Sequence, residues 1–371
     1  MGCFAEGMEP LLGARTPMNR ISGRLSSASG ETKRARFHEK VRRIPFFLSM
    51  QACPRRCVYC HQGEITGVSS APSPDEVRRV LASLQGPHEV CFFGGSFTCF
   101  PPDLRNAYLD AVFSAPSGSS VRFSTHPECI SSGVLDSLAR FPVSMIELGI
   151  SSLDDRVLKE TNRGYTGDQA LSVMKLVSLK GYRLAAQMMI GLPGQTTESS
   201  LEDLRKISSV PGDSPITLRI YPCLVLRDTP LSLLLAQGRY SPLSVEEAAS
   251  WAGMLLSEAK RLGFAVQRIG LQHTESLAAN VVAGPYHPAL GEMAQSVALV
   301  TSLLSKSSSG PWKVERNQLS LLHGHGKFGI RLLSDRSGLT VSCVERRIGI
   351  SQLTPYSTLE TTTDSCAETK T

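Results

Sequence analysis

The 371-residue sequence predicts an α/β fold in which parallel strands form a barrel, and three observations lead to this prediction. Short apolar runs alternate along the chain with amphipathic helical segments, which is typical of βαβ units. The runs are continuously apolar, so both faces of each strand are expected to be covered. A doubly wound sheet also fits these two observations. The third is that polar motifs follow the strand ends, as at the C-terminal rim of a barrel, and this favours the barrel.

The elements follow in order from Ile44, where the first apolar run begins. Six predicted strands span residues 44–50, 89–93, 121–124, 144–149, 184–190 and 216–221. The first predicted helix begins after Ser73, a good N-cap, with Pro74 at the first helical position. Later helices are predicted at 102–114, 131–140, 153–161, 168–180, 198–208 and 244–262, with a strand at 264–269. Residues 300–345 are expected to mix short strands with Gly-rich turns.

Composition and charge divide the chain into four predicted segments: a flexible basic arm (1–43), the barrel (44–270), a C-terminal extension (271–355) and a disordered tail (356–371). Residues 1–44 hold nine Lys/Arg and four acids, so this arm carries +5 of the total net charge of +6. The rest of the chain is therefore close to neutral, which argues against a uniformly basic nucleic-acid-binding body.

The cysteine pattern and the absence of long apolar runs bear on location. No run reaches the roughly 18 apolar residues of a membrane span, and the N-terminus lacks the apolar core of a signal peptide. A cytoplasmic, reduced location is therefore expected. Of the ten cysteines, seven are scattered and are expected to be ordinary thiols.

The other three cysteines are Cys53, Cys57 and Cys60, in a C-x3-C-x2-C pattern directly after the first predicted strand. Thiolates this close converge on a metal or cluster. Structural zinc usually needs four ligands, and His61 is the only nearby fourth candidate. A [4Fe–4S] cluster held by three cysteines leaves one iron open to a further ligand. The spacing favours the cluster, with zinc or chance spacing as the alternative.

This pattern, with an aromatic residue before its last cysteine, resembles the radical S-adenosylmethionine (SAM) superfamily. The resemblance implies a partial (β/α)6 TIM-like barrel with a C-terminal α+β extension. It implies two cofactors, a [4Fe–4S] cluster and S-adenosyl-L-methionine, and an electron donor such as flavodoxin or ferredoxin. In that family the open iron chelates the methionine group of SAM, and electron transfer releases a 5′-deoxyadenosyl radical that abstracts hydrogen from the substrate.

The resemblance also implies a set of cofactor-binding residues. Ser96 departs from the acidic residue that many members have after the two glycines, and Arg163 is the candidate partner of the methionine carboxylate. For Glu147, a carboxylate within an apolar strand, a structural ion pair is the alternative. For Arg163 the alternative is a solvated surface side chain. The implied cofactor-binding residues are Tyr59, Gly94, Gly95, Ser96, Thr125, Glu147, Arg163 and Gln187.

A narrower resemblance, over roughly residues 44–270, is to the radical domain of the Elongator catalytic subunit and its short bacterial relatives. It is carried by the segments 93–98, 147–149, 162–166, 191–196, 219–222 and 238–240. The first two cysteines are closer together here than in the Elongator subunit. About 100 residues follow Ile269 without an acetyl-CoA-binding glycine pattern, so acetyl transfer is not expected.

Three hypotheses for function remain open from the sequence. The first is modification of a wobble uridine, with tRNA as a partner that the basic arm contacts. The second is radical chemistry on a small molecule such as a tetrapyrrole, and the third is a non-catalytic Fe–S protein. Weak catalytic candidates are polar residues that end predicted elements: Tyr221, Arg227, His287 and Glu292.

Overall fold

The computed structural model describes residues 42–68 and 70–351, and its centre is a curled sheet of seven parallel strands. The strands follow one another in the sheet in the same order as in the chain, and the two edge strands do not pair with each other. The predicted α/β class and partial barrel are confirmed. The seven strands are β1 (Arg42–Phe47), β2 (His88–Phe93), β3 (Ser120–Thr125), β4 (Val143–Ser151), β5 (Leu184–Ile190), β6 (Thr217–Pro222) and β8 (Ala265–Ile269).

Helices cover the outer face of the sheet and are capped as the sequence suggests. Ser73 caps its helix and forms a capping box with Glu76. Thr166 and Ser244 cap two further helices in the same way, which fixes where each helix begins after its loop. The covering helices are α2 (Pro74–Ala82), α3 (Pro102–Val112), α4 (Ser132–Leu138), α5 (Asp155–Glu160), α6 (Gly167–Leu179), α7 (Thr197–Ser208) and α9 (Val245–Arg261).

The region after β8 is mostly helical, so the expected mixture of short strands and Gly-rich turns at 300–345 is wrong. Its long helix α12 is interrupted by non-helical backbone at Gly324–Lys327, which is why the glycines there suggested a turn. A second apolar core lies in this region, around Leu322 and Leu333. Its elements are α10 (Glu275–Asn280), β9 (Val281–Ala283), α11 (Leu290–Lys306), β10 (Trp312–Val314), α12 (Leu319–Ser337), α13 (Val341–Arg347) and β11 (Ile348–Ile350).

The extension is continuous with the barrel, since the described residues 42–68 and 70–351 all fall in one compact unit. Helix α11 packs on α9, where Gly253 leaves room for Val297: a Cβ at Gly253 would lie 2.5 Å from the Val297 Cβ. Two short strands, β7 (Val225–Leu226) and β9, pair antiparallel beside the main sheet. Helix α8 (Pro230–Ala236) follows β7.

A polar contact joins the two open edges of the barrel. Helix α1 (Gln62–Thr66) follows the cysteine loop and packs against α10, which follows β8. The Glu64 carboxylate accepts hydrogen bonds from the Ser276 hydroxyl at 3.1 Å and from the Asn280 amide. The α1–α10 contact therefore spans the gap that β1 and β8 leave unpaired.

The described segments overlap the predicted ones closely at the start of the barrel. Strand β1 begins at Arg42, two residues before the predicted boundary, so Arg42 and Arg43 belong to the sheet rather than to the arm. The remainder of the arm and the tail from residue 356 lie outside the described residues. None of the described helices is long and apolar enough to cross a membrane.

Two of the seven cysteines expected to be ordinary thiols are joined in a disulfide, which corrects that expectation. Cys99 lies after β2 and Cys129 after β3, and the two loops bring their Cα atoms to 5.0 Å. The two cysteines are 30 residues apart in the sequence, and this spacing does not indicate a disulfide. The parallel pairing of β2 with β3 brings their loops together.

We expect peptide mapping under non-reducing conditions to recover a peptide that joins Cys99 to Cys129. Reduction before alkylation should release it and add two alkyl groups to the chain, since each disulfide hides two thiols. The matched control is the Cys99→Ser variant, in which alkylation of Cys129 should not depend on reduction. Full alkylation of Cys99 without reductant would contradict this bond.

Candidate active site

A cavity of about 980 Å³ lies inside the curled sheet. Its wall consists of side chains that alternate along the strands, such as Arg43, Pro45 and Phe47 on β1, together with the loops that follow the strands. This alternation is that of the inner face of a barrel. The cysteine loop, the Gly94–Gly95 turn, the end of β4 and Arg163 all border the cavity, so the motifs that the sequence singled out meet there.

Cys53, Cys57 and Cys60 all border this cavity, as predicted for ligands of one group. The Cys53 Sγ lies 3.3 Å from the Ser96 hydroxyl, and the Cys57 Sγ accepts from Arg163 Nη1 at 2.9 Å. No three His, Cys, Asp or Glu side chains of the described ranges are grouped as a single-ion site. His61 instead caps α1, because its Nδ1 accepts from the Glu64 amide.

The thiols sit in a poorly solvated place. Burial raises the pKa of Cys60 to about 12, and charge on Cys57 and Cys53 acts in the same direction. Burial also raises the pKa of Cys53, against the effect of the Ser96 hydroxyl bond. Neutral thiols must lose their protons to bind iron, so metal ions have to displace these protons.

Arg163 supplies a positive charge beside the thiols. It is 7% exposed and meets no carboxylate in the described part of the chain. Its partners are the Cys57 sulfur, the Tyr165 hydroxyl at 3.0 Å and the Gly149 carbonyl. Although burial by itself lowers the pKa of Arg163, charge on Tyr165, Tyr59 and Cys57 holds that pKa well above its usual value. A buried guanidinium of this kind fits an anionic cluster and a cofactor carboxylate.

The Gly94–Gly95 turn allows the β2 loop to pack tightly on the cysteine loop. Gly94 adopts a φ of +76°, which side chains rarely tolerate. A Cβ at Gly95 would lie 2.9 Å from both the Gln51 carbonyl oxygen and the Leu48 Cβ. Any side chain at Gly95 would push the cysteine loop away, so this residue is required for the shape of the site.

The other residues of the predicted cofactor set separate into two groups. Tyr59, Thr125 and Gln187 border the cavity, and the Tyr59 hydroxyl lies 2.8 Å from the Ser151 hydroxyl. Glu147 does not border it, and its side chain is 0% exposed. The structure therefore supports the ion-pair alternative for Glu147 over a direct cofactor contact.

Glu147 belongs to a buried ionic network on the inner side of the strands. It pairs with Arg122 and with Arg219, whose Nε lies 3.1 Å from Glu147 Oε2. Arg122 also pairs with Glu89 at 3.2 Å, and Glu89 with Arg43 at 2.7 Å. The network thus runs across the sheet from β1 to β6 and fixes the arginines that border the cavity.

The weak catalytic candidates are not brought together. Tyr221 borders the cavity, and its hydroxyl accepts from Arg219 Nη1 at 3.2 Å. Arg227, His287 and Glu292 do not border it. Glu292 lies in the extension, 3.0 Å from His325 Nε2, and the His287 ring contacts that of His325, so these three candidates are corrected.

Several residues of the cavity wall were not singled out from the sequence. Ser151 has a φ of +60° at the last residue of the largely apolar strand β4, and that position could have suggested a site. Burial lowers the pKa of His126 to about 3, so its ring is neutral in the wall. Arg219 and Arg268 come from strands β6 and β8, and no spacing in the sequence indicates that their side chains face inwards.

Comparison with protein families decides the assignment. The sequence matches the radical SAM superfamily over residues 47–207 and the radical SAM C-terminal domain over residues 215–298. The chain belongs to the radical SAM superfamily. It is therefore an enzyme that uses a [4Fe–4S] cluster and SAM, and the non-catalytic alternative is set aside. Radical SAM enzymes need a reductant. The three cavity cysteines with Arg163 beside them provide a suitable donor set for such a cluster.

The relatives of this radical SAM enzyme include Elongator proteins. Elongator complex protein 3 of Saccharomyces cerevisiae is 25% identical over 189 residues, 46% of this chain and 34% of that protein. The tRNA uridine(34) acetyltransferase of Methanocaldococcus infernus is 27% identical over 124 residues, 33% of this chain and 23% of that protein. The matched segments thus span about a third of these relatives or less.

A solved structure supports the fold of this radical SAM enzyme. The archaeal Methanocaldococcus infernus Elp3 with an N-terminal deletion superposes with a TM-score of 0.54 at 20% sequence identity. The superposition covers 71% of this chain and 63% of that chain.

Proposed function

We propose that this radical SAM enzyme acts on tRNA at a wobble uridine, with Cys53, Cys57 and Cys60 holding the cluster and Arg163 binding the SAM carboxylate. The observation that carries the proposal is the charge of the cavity wall. Six arginines border the cavity, and no Asp or Glu of the described ranges does so. Such a wall suits a polyanionic substrate. These six are Arg43, Arg55, Arg56, Arg163, Arg219 and Arg268.

The extension supports the same partner. Residues 300–350 carry eight Lys/Arg against three acids, although the chain as a whole is only weakly basic. Seven of the eight are exposed, including Lys313, Arg316 and Arg331. Exposed cations at this density bind phosphate backbones in a salt-dependent way. The M. infernus relative is by its name a tRNA uridine(34) acetyltransferase, which supports a uridine at that position as the target.

The roles of the residues follow from their positions. When bound, the cluster and SAM supply a carbon radical that removes a hydrogen atom from the substrate. The chain holds the SAM carboxylate at Arg163 and orients Tyr59 through the Ser151 hydroxyl. The neutral His126 and the inner strand faces exclude water from this region. A flavodoxin or ferredoxin is the proposed electron donor.

The test compares tRNA nucleosides from a host strain with those of a strain that lacks the gene. We expect one modified uridine to disappear in the deletion strain, to return with the wild-type gene, and to stay absent with a Cys57→Ala gene. The strain with the Cys57→Ala gene distinguishes an effect of the radical reaction from an effect of the protein's presence alone. Identical nucleoside profiles in all four strains, together with 5′-deoxyadenosine released from SAM when a tetrapyrrole is supplied as the hydrogen donor, would refute the tRNA proposal in favour of the small-molecule alternative.

A further inference from the structure

Two arginines stand side by side on the inner wall of the sheet. Arg219 on β6 and Arg268 on β8 are register partners of two parallel strands, and both side chains border the cavity. Two like charges at neighbouring positions repel each other, and the repulsion is strongest where water is scarce. The pair therefore costs stability unless an anion lies near both guanidinium groups.

The two arginines differ in what holds them. Arg219 is fixed by Glu147, by the Tyr221 hydroxyl and by the Phe93 ring, whose centroid lies 5.2 Å from its Cζ. Arg268 donates from Nε to the Gly270 carbonyl at 3.0 Å and meets no carboxylate among the residues described. The two terminal nitrogens of Arg268 therefore remain available to bind a ligand in the cavity, next to Arg219, which its own partners hold in place.

The ionic network of the inner wall, taken together with Arg268, carries an excess of two positive charges. The network holds the three arginines Arg43, Arg122 and Arg219, and Arg268 lies beside it on the next strand. Two carboxylates, Glu89 and Glu147, oppose them. An excess of two charges in a half-buried wall requires counter-charge from a ligand or from solvent ions.

We infer that Arg219 and Arg268 form the site that binds an anionic group of the substrate, a phosphate or a pair of carboxylates. The inference rests on the proposed function and adds to it the group by which the substrate is held. Arg163, assigned to SAM, follows β4, whereas this pair lies on β6 and β8. Guanidinium groups bind such oxyanions through paired, charge-assisted hydrogen bonds.

The experiment measures binding of small probes to the reconstituted enzyme with SAM at saturation, so that Arg163 is occupied. The probes are uridine 5′-monophosphate, uridine and glutarate, titrated calorimetrically. We expect the monophosphate or glutarate to bind at least about tenfold more tightly than uridine. In Arg268→Gln that affinity should fall by about 10- to 100-fold, as for loss of a charged hydrogen bond. Uridine should be unaffected.

Two further variants make the result specific. Arg268→Lys keeps the charge but not the fork of donors, so its affinity should lie between those of wild type and Arg268→Gln. Arg183→Gln removes an exposed arginine outside the cavity and should bind every probe as wild type does. Iron content and cluster absorbance of each variant check that the site is folded.

The outcomes separate the inference from the proposed function. A preference for the monophosphate assigns a phosphate, and a preference for glutarate assigns carboxylates. If neither anion binds better than uridine, or Arg268→Gln binds them as wild type does, the inference fails even where the tRNA nucleoside test succeeds. If glutarate binds through Arg268 and the nucleoside profiles are identical, the anion site stands and the tRNA proposal fails.

Discussion

Cys57→Ala is expected to abolish both cluster assembly and SAM cleavage. Cys57 is the middle ligand of the proposed set, is 9% exposed, and lies against Arg163. Two cysteines leave a second iron without a protein ligand, so the cluster is not retained. Anaerobic reconstitution should give the variant little iron, no brown absorbance and no 5′-deoxyadenosine after reduction in the presence of SAM.

The matched control for this prediction is Cys343→Ala. Cys343 is also a buried cysteine, 1% exposed, but it lies in the apolar core of the extension. It should assemble the cluster and cleave SAM as wild type does, at a modest cost in stability. Brown absorbance in Cys57→Ala equal to that of Cys343→Ala would overturn the ligand assignment.

Glu147→Gln is expected to lower the free energy of unfolding by about 3–5 kcal/mol, because it leaves the buried Arg122 and the half-buried Arg219 with one carboxylate fewer. Glu147 is 0% exposed and Arg122 is 1% exposed, so water cannot replace the lost charge. The Gln187 amide Nε2 donates to Glu147 Oε2 at 2.8 Å, and in the variant it would face a neutral amide instead of a charged carboxylate. Urea unfolding, followed by circular dichroism, measures the change through the shift in midpoint.

Glu258→Gln provides the comparison on the surface. Glu258 also accepts from two arginines, Arg261 at 2.8 Å and Arg205 at 3.3 Å, but both of these are more than half exposed. Ion pairs in such a place contribute less than about 1 kcal/mol. Equal midpoint shifts for Glu147→Gln and Glu258→Gln would show that burial of the network contributes nothing.

Acid should weaken the same network. Burial by itself raises the pKa of Glu89. The positive charges of Arg122 and Arg43 outweigh this effect and hold the pKa of Glu89 below its usual value. A depressed folded pKa contributes stability that is present above the unfolded carboxyl pKa and is lost as the pH falls through the folded value. The contribution of Glu89 is thus complete at neutral pH.

Sequence reasoning reached the barrel and the cysteine site because both depend on short-range pattern. The apolar runs identify strands, and Cys53, Cys57 and Cys60 lie within eight residues, so no tertiary knowledge is needed to group them. The Arg122–Glu147–Arg219 network depends on which side chains of three separate strands point inwards in register. One residue of register error would turn each of them outwards.

The extension was misread for a different reason. His323-Gly324-His325-Gly326 has the composition of a turn, and the chain does leave helical geometry there. Helical residues on both sides pack into the second core through Leu322, Ile330 and Leu333, and this tertiary packing outweighs the local preference of the glycines. The Cys99–Cys129 bond likewise depends on loops that only the folded sheet brings together.

The α1–α10 contact has a consequence for the order in which the protein is made. Glu64 and its partners Ser276 and Asn280 are separated by 212 and 216 residues, so synthesis of one side precedes the other by roughly ten seconds or more at ordinary translation speed. Until α10 emerges from the ribosome, the edge of the nascent barrel beside the cysteine loop stays uncovered.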